Sequence, residues 1–258
     1  MSSNTFLNDK QLKKLDKKLQ EVINKTGLDR KTQAEVFDKK TLLTLEKFIS
    51  NRILNIIDFP ISTGKEGNVF RGLTPNNKIV AVKIYRISTS TFKHITQYIE
   101  GDPRFKSFHK TRKDIIYAWT KKEYKNLELL KKIGVKAPKP IISNNNVLIM
   151  QYLGDKNKSA PMIKDVILEN PEEIFENIID SIKKMFQNAN LVHGDISEYN
   201  VLYFRKKPYL IDLGQGVLKM HPNAEEFLKR DIYNIVRFFK KYKISADARK
   251  IYNDIVKS

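Results

Sequence analysis

The chain has 258 residues, 41% of them hydrophobic and 10% aromatic, enough to bury a core in one large domain or two small lobes and to exclude wholesale disorder. Its 48 Lys and Arg against 29 Asp and Glu leave a net charge of +19, which predicts attraction to polyanions such as nucleic acid or nucleotide phosphates. With no cysteine in the sequence, disulfides, thiolate metal sites, iron–sulfur clusters and thiolate nucleophiles are all excluded, and a reducing, intracellular setting fits.

The start reads as an amphipathic helix: Leu12, Leu15, Leu19, Val22 and Ile23 recur at helical spacing with lysines between them, up to about Gly27. A second helix is predicted from Thr41, taken as its N-cap, through Leu45, Phe48, Ile49, Ile53 and Ile56. The period then changes. Asn68–Arg71 and Ile79–Tyr85 are short β-branched runs around the turn residues Pro75-Asn76-Asn77, which predicts a hairpin. From Thr89 to Thr111 the polar and aromatic text, broken at Gly101-Asp102-Pro103, predicts a long surface segment.

Helical spacing resumes from Ile115 through Trp119, Leu127 and Leu130 and stops at Gly134. Val147–Met150 reads as a buried strand, and a linker is expected near 151–155. The second half offers a helix from Pro171, short strands at Asn200–Tyr203 and Tyr209–Ile211, and a helix through Phe227, Ile232 and Phe239. The expected class is therefore α+β: a helical appendage over 1–58, a small antiparallel-sheet lobe over 59–150, and a linker with a reduced helical lobe over 151–258. No stretch approaches 18 consecutive apolar residues and MSSNTFLNDK lacks an apolar signal core, so no membrane partner and a cytoplasmic location are expected.

The strongest local pattern is Val192-His193-Gly194-Asp195-Ile196-Ser197-Glu198-Tyr199-Asn200, followed by Ile211-Asp212-Leu213-Gly214. A loop between helix and strand would bring Asp195, Asn200 and Asp212 together. Mg²⁺ takes oxygen ligands and binds through one or two carboxylates plus substrate phosphates. Asn200 and Asp212 suit such a metal, which leaves Asp195 to orient a hydroxyl and accept its proton. Taken singly, each residue is equally a turn or cap residue; the set in its strand context is what points to chemistry. The four histidines, His94, His109, His193 and His221, form no HExxH pattern, and His193 is expected to brace the loop.

A second constellation is Ser62-Thr63-Gly64-Lys65-Glu66-Gly67 before the first hairpin strand, with Lys83 on the next. Backbone N–H groups of such a turn can approach phosphate oxygens, and a strand lysine in the same crevice adds a point charge. Ser62 stands where a kinase phosphate loop would carry its first glycine. Glu123 lies on the first clear helix after Lys83, where a kinase lysine finds its carboxylate.

With STGKEGNVF, AVKIYR, WTKKEYKNLE, LVHGDISEYN, IDLGQ and HPNAEEFLKRDIYNIVRFF on the page, the chain resembles the RIO family of atypical serine/threonine protein kinases, most closely its first subfamily, from about residue 33 to 243. The resemblance implies a bilobal kinase-like fold. It implies a phosphate loop over Ser62, Thr63, Gly64, Lys65, Glu66 and Gly67, with Lys83 on the α- and β-phosphates paired to Glu123. Met150 would back the adenine pocket, and the backbone of Gln151 and Leu153 would bind the base. Asp195 would be the catalytic aspartate and Asn200 and Asp212 the metal ligands, with Asp212 also a phosphoryl acceptor in an ATPase cycle. ATP and Mg²⁺, with Mn²⁺ as an alternative, are the implied cofactors. The implied partners are a protein substrate or the chain itself, and a pre-ribosomal small subunit or its rRNA.

The sequence departs from this pattern at Gln151, where an acidic residue is expected, and at Gly214-Gln215, with no D-F-G and no A-P-E following. Two other readings compete. Small-molecule phosphotransferases of the aminoglycoside and choline kinase type share H-G-D…N…I-D, but the short stretch after Gly214 leaves little material for their substrate pocket. A basic RNA-binding module with a vestigial kinase shape is the other; its doublets, such as Lys121-Lys122 and Lys240-Lys241, read as solvated surface. The set Lys83, Glu123, Asp195, Asn200 and Asp212 has no purpose in a binding-only protein.

Overall fold

The computed structural model describes residues 36–64, 67–87, 92–105 and 111–257. The helix expected over residues 12–23 lies outside them.

Helix α1 (Lys39–Ser50) begins after Asp38, whose carboxylate accepts the Thr41 N–H at 2.7 Å. Asp38 is therefore the N-cap, and Thr41 sits inside the first turn, buried, with its Oγ1 accepting Asn146 Nδ2 at 2.8 Å. The helix also ends earlier than its apolar spacing predicts. Arg52 takes a left-handed backbone (φ 55°) and reverses the chain, so Ile53 falls in the connection and Ile56 opens a strand.

Five antiparallel strands follow: β1 (Ile56–Thr63), β2 (Gly67–Leu73), β3 (Ile79–Tyr85), β4 (Pro140–Asn144) and β5 (Val147–Gln151), in the order β1-β2-β3-β5-β4. The expected boundary at residue 58 falls inside β1. Period-two alternation in β3 sorts the side chains between the two faces. Val80, Val82 and Ile84 join Phe37, Leu45 and Phe48 in an apolar layer under α1. Ala81 and Tyr85 face the main core, and Lys83 between them points the same way.

The segment expected on the surface instead contains α2 (Phe92–Ile99), with Ile95, Tyr98 and Ile99 buried. Tyr98 packs on Trp119 and Phe227 with ring centroids 6.0 and 5.2 Å apart. His221 Nε2 meets the carbonyls of Gln97 and Glu100 at 3.1 and 3.0 Å, which fastens the end of α2 to the second lobe. Helix α3 (Arg112–Lys132) starts at Thr111, whose Oγ1 accepts the Asp114 N–H, and ends before Gly134 (φ 71°).

The second lobe holds α4 (Pro171–Asn188), β6 (Leu191–Val192), β7 (Val201–Phe204), β8 (Lys207–Leu210), β9 (Val217–Leu218), α5 (Ala224–Phe239) and α6 (Ala248–Lys257). Strands β7 and β8 form one antiparallel ribbon and β6 and β9 another. The two ribbons frame the segments 193–200 and 211–216 between them. Helix α4 starts with Pro171, an N1 proline. Among the described residues no helix is long and apolar enough to cross a membrane.

Candidate active site

A cleft of about 640 Å³ opens between the sheet lobe and the helical lobe. The sheet side supplies Ile61, Val69 and Ala81, and the opposite wall supplies Leu202 and Ile211, so apolar side chains line both sides of the slot. Ser62, Gly64 and Gly67 line one end. Thr63, at the exposed end of β1, is not among the lining residues, and Lys65 and Glu66 lie outside the described residues. Gly67 is a close-approach position: a Cβ there would stand 2.6 Å from the Ile84 carbonyl oxygen.

Met150, Gln151 and Leu153 line the cleft where β5 leaves the sheet. The Gln151 N–H donates to Lys139 O at 2.8 Å, and Leu153 O accepts the Ala160 N–H at 2.9 Å. An antiparallel bridge between Gly154 and Ser159 turns this connection back on itself. Arg71 on β2 ties the lobes together here: its Nε donates to Asp58 Oδ2 at 2.9 Å and its Nη1 to the Lys156 carbonyl.

Lys83 sits at the centre. Its Nζ lies 2.9 Å from the Glu123 carboxylate on α3 and 2.9 Å from Asp212 Oδ1. Burial alone would lower the Lys83 pKa, but Asp212 and Glu123 outweigh it and hold the ammonium above the usual lysine range. Asp212 shows the converse: burial would raise it, and Lys83 keeps it below the ordinary carboxylate value. Glu123 is raised, by burial first, with Lys83 opposing and the Asp212 charge adding to the rise.

Asp195 and Asn200 line the same cleft. Asn200 Nδ2 donates to both the Asp195 carbonyl (2.8 Å) and its Oδ2 (2.9 Å). This fixes which way the amide faces and leaves the Asn200 carbonyl oxygen as the atom for a cation. Asp212 has a left-handed backbone (φ 64°), tolerated by aspartate more readily than by most residues, and its side chain is 43% exposed to the cleft. One amide oxygen and one carboxylate fit a hard divalent ion whose remaining positions go to water and phosphate. No cluster of three His, Cys, Asp or Glu side chains suited to a metal occurs among the described residues.

Of three supports around these residues, the bracing His193 was expected from the sequence, and those from Asp231 and from α3 were not. His193 is buried, and its Nε2 meets the Ile211 carbonyl at 3.0 Å, joining the 193–200 loop to the strand end before Asp212. Burial lowers its pKa to about 4, so the ring is neutral at pH 7 and Nε2 donates. Asp231 on α5 is buried against the backbone of the 193–200 loop. Lys122 and Asn126 on α3 reach the 213–216 turn, and burial pushes Lys122 down to about 7.

A five-stranded lobe carrying a lysine–glutamate pair, hinged to a helical lobe that presents H-G-D-x-x-x-x-N and an I-D-x-G turn, defines a protein-kinase-like phosphotransferase. Solved structures share this fold: the Rio2 kinase of Chaetomium thermophilum superposes with a TM-score of 0.63 at 21% identity, over 82% of this chain and 66% of that one. The RIO domain model matches residues 68–251. The RIO-type serine/threonine-protein kinase Rio1 of Methanocaldococcus jannaschii is 38% identical over 98% of this chain and 88% of its own length. That of Haloferax volcanii is 41% identical over 86% and 76%. The human serine/threonine-protein kinase RIO1 is 35% identical, and this chain spans 40% of it. The chain belongs to the RIO family of serine/threonine protein kinases. Membership carries with it ATP as phosphoryl donor, the use of a divalent cation and a protein as phosphoryl acceptor. It also removes the small-molecule phosphotransferase and the vestigial-kinase readings.

Proposed function

We propose that the cleft transfers the γ-phosphoryl group of ATP to a serine or threonine of a protein, the chain itself included, with Mg²⁺ as the working cation and Mn²⁺ as a substitute. The observation that carries this reading is Lys83 Nζ held 2.9 Å from Glu123 and 2.9 Å from Asp212, across the cleft from Asp195 and Asn200. The lobes over 59–150 and 151–258 close around the nucleotide.

Ser62, Gly64 and Gly67 line the end of the cleft that takes the phosphates, and Lys83 binds the α- and β-phosphates in an orientation set by Glu123. Met150 backs the adenine slot. The backbone of Gln151 and Leu153, which line this part of the cleft, binds the base, which needs one acceptor and one donor. Asn200 and Asp212 hold the divalent ion, which supplies charge neutralisation and alignment of the phosphates. Asp195 orients the attacking hydroxyl: the hydroxyl oxygen bonds to the γ-phosphorus, the bond to the ADP oxygen breaks, and the proton passes to Asp195.

A second outcome has specific support. A Rio2 structure is described as an ADP/Mg²⁺-phosphoaspartate complex, and here Asp212 faces the cleft. Attack by an Asp212 oxygen on the γ-phosphorus, with the bond to the ADP oxygen breaking and ADP leaving, would give an aspartyl phosphate whose hydrolysis to phosphate completes an ATPase cycle. The purified chain with γ-labelled ATP separates the outcomes: acid-stable label on Ser or Thr, base-labile label on a carboxylate, or free phosphate. No label and no phosphate release at saturating nucleotide would end the reading.

The charge of +19 and the family resemblance together support a pre-ribosomal small subunit or its rRNA as partner and a cytoplasmic site of action. Binding to small-subunit rRNA should weaken steeply with salt, because phosphate neutralisation releases counterions; affinity independent of salt would count against it.

A further inference from the structure

The side of α3 that faces the 213–216 turn carries two polar side chains that the proposed reaction does not use. Lys122 is 0% exposed, and its Nζ donates to Gly214 O at 2.9 Å and to Gly216 O. Asn126, also 0% exposed, donates through Nδ2 to Leu213 O at 2.8 Å and Gly216 O at 2.9 Å. Its Oδ1 accepts Arg104 Nη1 at 2.9 Å, and Arg104 is paired with Asp102 at 2.7 Å.

Burying an ammonium is expensive, and an apolar side chain of the same volume fills such a site at lower cost. What Lys122 supplies that methionine cannot is N–H donors for carbonyls that the turn leaves open. Within the turn, the Gly216 N–H bonds Leu213 O at 3.1 Å; the donors to the Gly214 and Gly216 carbonyls come from α3. The space is closed as well. A Cβ on Gly214 would stand 2.8 Å from Trp119 Nε1, and one on Gly216 would stand 2.8 Å from Asn126 Nδ2. Asp212 immediately precedes the turn, so these donors hold the backbone that follows it.

We propose that Lys122 and Asn126 are positioning residues for the divalent cation: they clamp the 213–216 turn to α3, so the helix that orients Lys83 through Glu123 also sets the place of Asp212. The proposal rests on the reading of Asp212 as a metal ligand. Groups that orient a ligand typically change metal affinity by about 10–100-fold when removed. A role confined to folding would leave the affinity of the folded fraction alone.

The test is Mn²⁺ binding to the full chain, followed by electron paramagnetic resonance with a saturating non-hydrolysable ATP analogue, alongside analogue binding in EDTA. Lys122→Met and Asn126→Leu should weaken Mn²⁺ binding by about 10–100-fold while metal-free analogue binding stays at the parent value. Arg104→Ala, which loosens Asn126 without opening the buried turn, should shift Mn²⁺ affinity in the same direction by less. Parent-like Mn²⁺ affinity in folded variants, with a clear loss in Asp212→Asn, overturns the clamp and leaves the ligand reading standing. Parent-like affinity in Asp212→Asn overturns the ligand reading itself. An equal loss of metal-free analogue binding also overturns the clamp. Should the α3 variants not fold, unchanged Mn²⁺ affinity in Arg104→Ala decides against it.

Discussion

The carboxylate of Asp231 straddles Asp195: its Oδ2 accepts the Gly194 N–H and its Oδ1 the Ile196 N–H, each at 2.8 Å. Helix α5 thereby fixes the backbone on both sides of the proposed base without touching the nucleotide cleft. Asp231→Asn turns one acceptor into a donor aimed at an N–H. It should cost about 1–3 kcal/mol of stability, the usual penalty for a buried unsatisfied group. The turnover rate should fall while ATP affinity holds, because the groups proposed to bind ATP lie elsewhere. Urea unfolding and a split between kcat and nucleotide Kd check this; equal loss in both would show general disruption instead.

Lys83 stands between two carboxylates, so its removal does more than delete a phosphate contact. In Lys83→Met, Glu123 is left buried without its cation and takes up a proton. Phosphoryl transfer should drop by about 10²–10³-fold, the scale seen for loss of one preorganised donor. Glu123→Gln should fall less, since it keeps an oxygen acceptor for Lys83 and leaves Asp212 as the counter-ion. Single-turnover rates at saturating nucleotide rank the two; equal rates would mean Glu123 does more than orient Lys83.

The polar constellation was legible because its parts are local. H-G-D-x-x-x-x-N and I-D-L-G each lie within one loop, and strand periodicity on either side supplied their setting. Strands β1 and β4 were not legible: Pro60 interrupts one, Pro140 opens the other, and both carry register shifts. The buried face of α2, Ile95, Tyr98 and Ile99, has helical spacing but is too short to stand out from polar surroundings. The donors from Lys122 and Asn126 reach carbonyls 92 and 87 residues away. A lysine in a Lys-Lys doublet reads as solvated surface, and only the packed fold shows that Lys122 is buried.

Gly214 cannot be replaced without moving Trp119, since a Cβ would lie 2.8 Å from the indole Cε2 and Nε1 and 2.9 Å from Cζ2. Trp119 is 1% exposed and edge-on to Tyr98, so it has little room to retreat. Gly214→Ala should destabilise by about 1–3 kcal/mol, the range for overpacking a core. Adding Trp119→Phe, which removes the clashing pyrrole edge, should recover part of that loss. A double-mutant cycle in urea measures the coupling; strict additivity would show that the two residues do not compete for the same space.

Burial sets opposing contributions to the pH dependence of stability: Glu123 and Asp231, both raised to about 7, favour the folded state as pH falls below 7, and His193 opposes them. Its folded pKa is lowered by burial from 6.5 to about 4, so between those values the unfolded chain binds the extra proton and the folded chain does not. The His193 contribution to the unfolding free energy therefore falls as pH drops through this window, by about 3 kcal/mol at one pKa unit per 1.36 kcal/mol. Lys122, lowered from 10.5 to about 7, acts in the same sense at higher pH: the ammonium is disfavoured in the folded state, so stability rises from pH 7 toward 10.5. In His193→Gln, which retains a donor for the Ile211 carbonyl, the variant should gain stability relative to the parent as pH falls from 6.5 to 4, while the alkaline rise persists. Parallel curves for parent and variant between pH 4 and 6.5 would show that some other group carries the acid sensitivity.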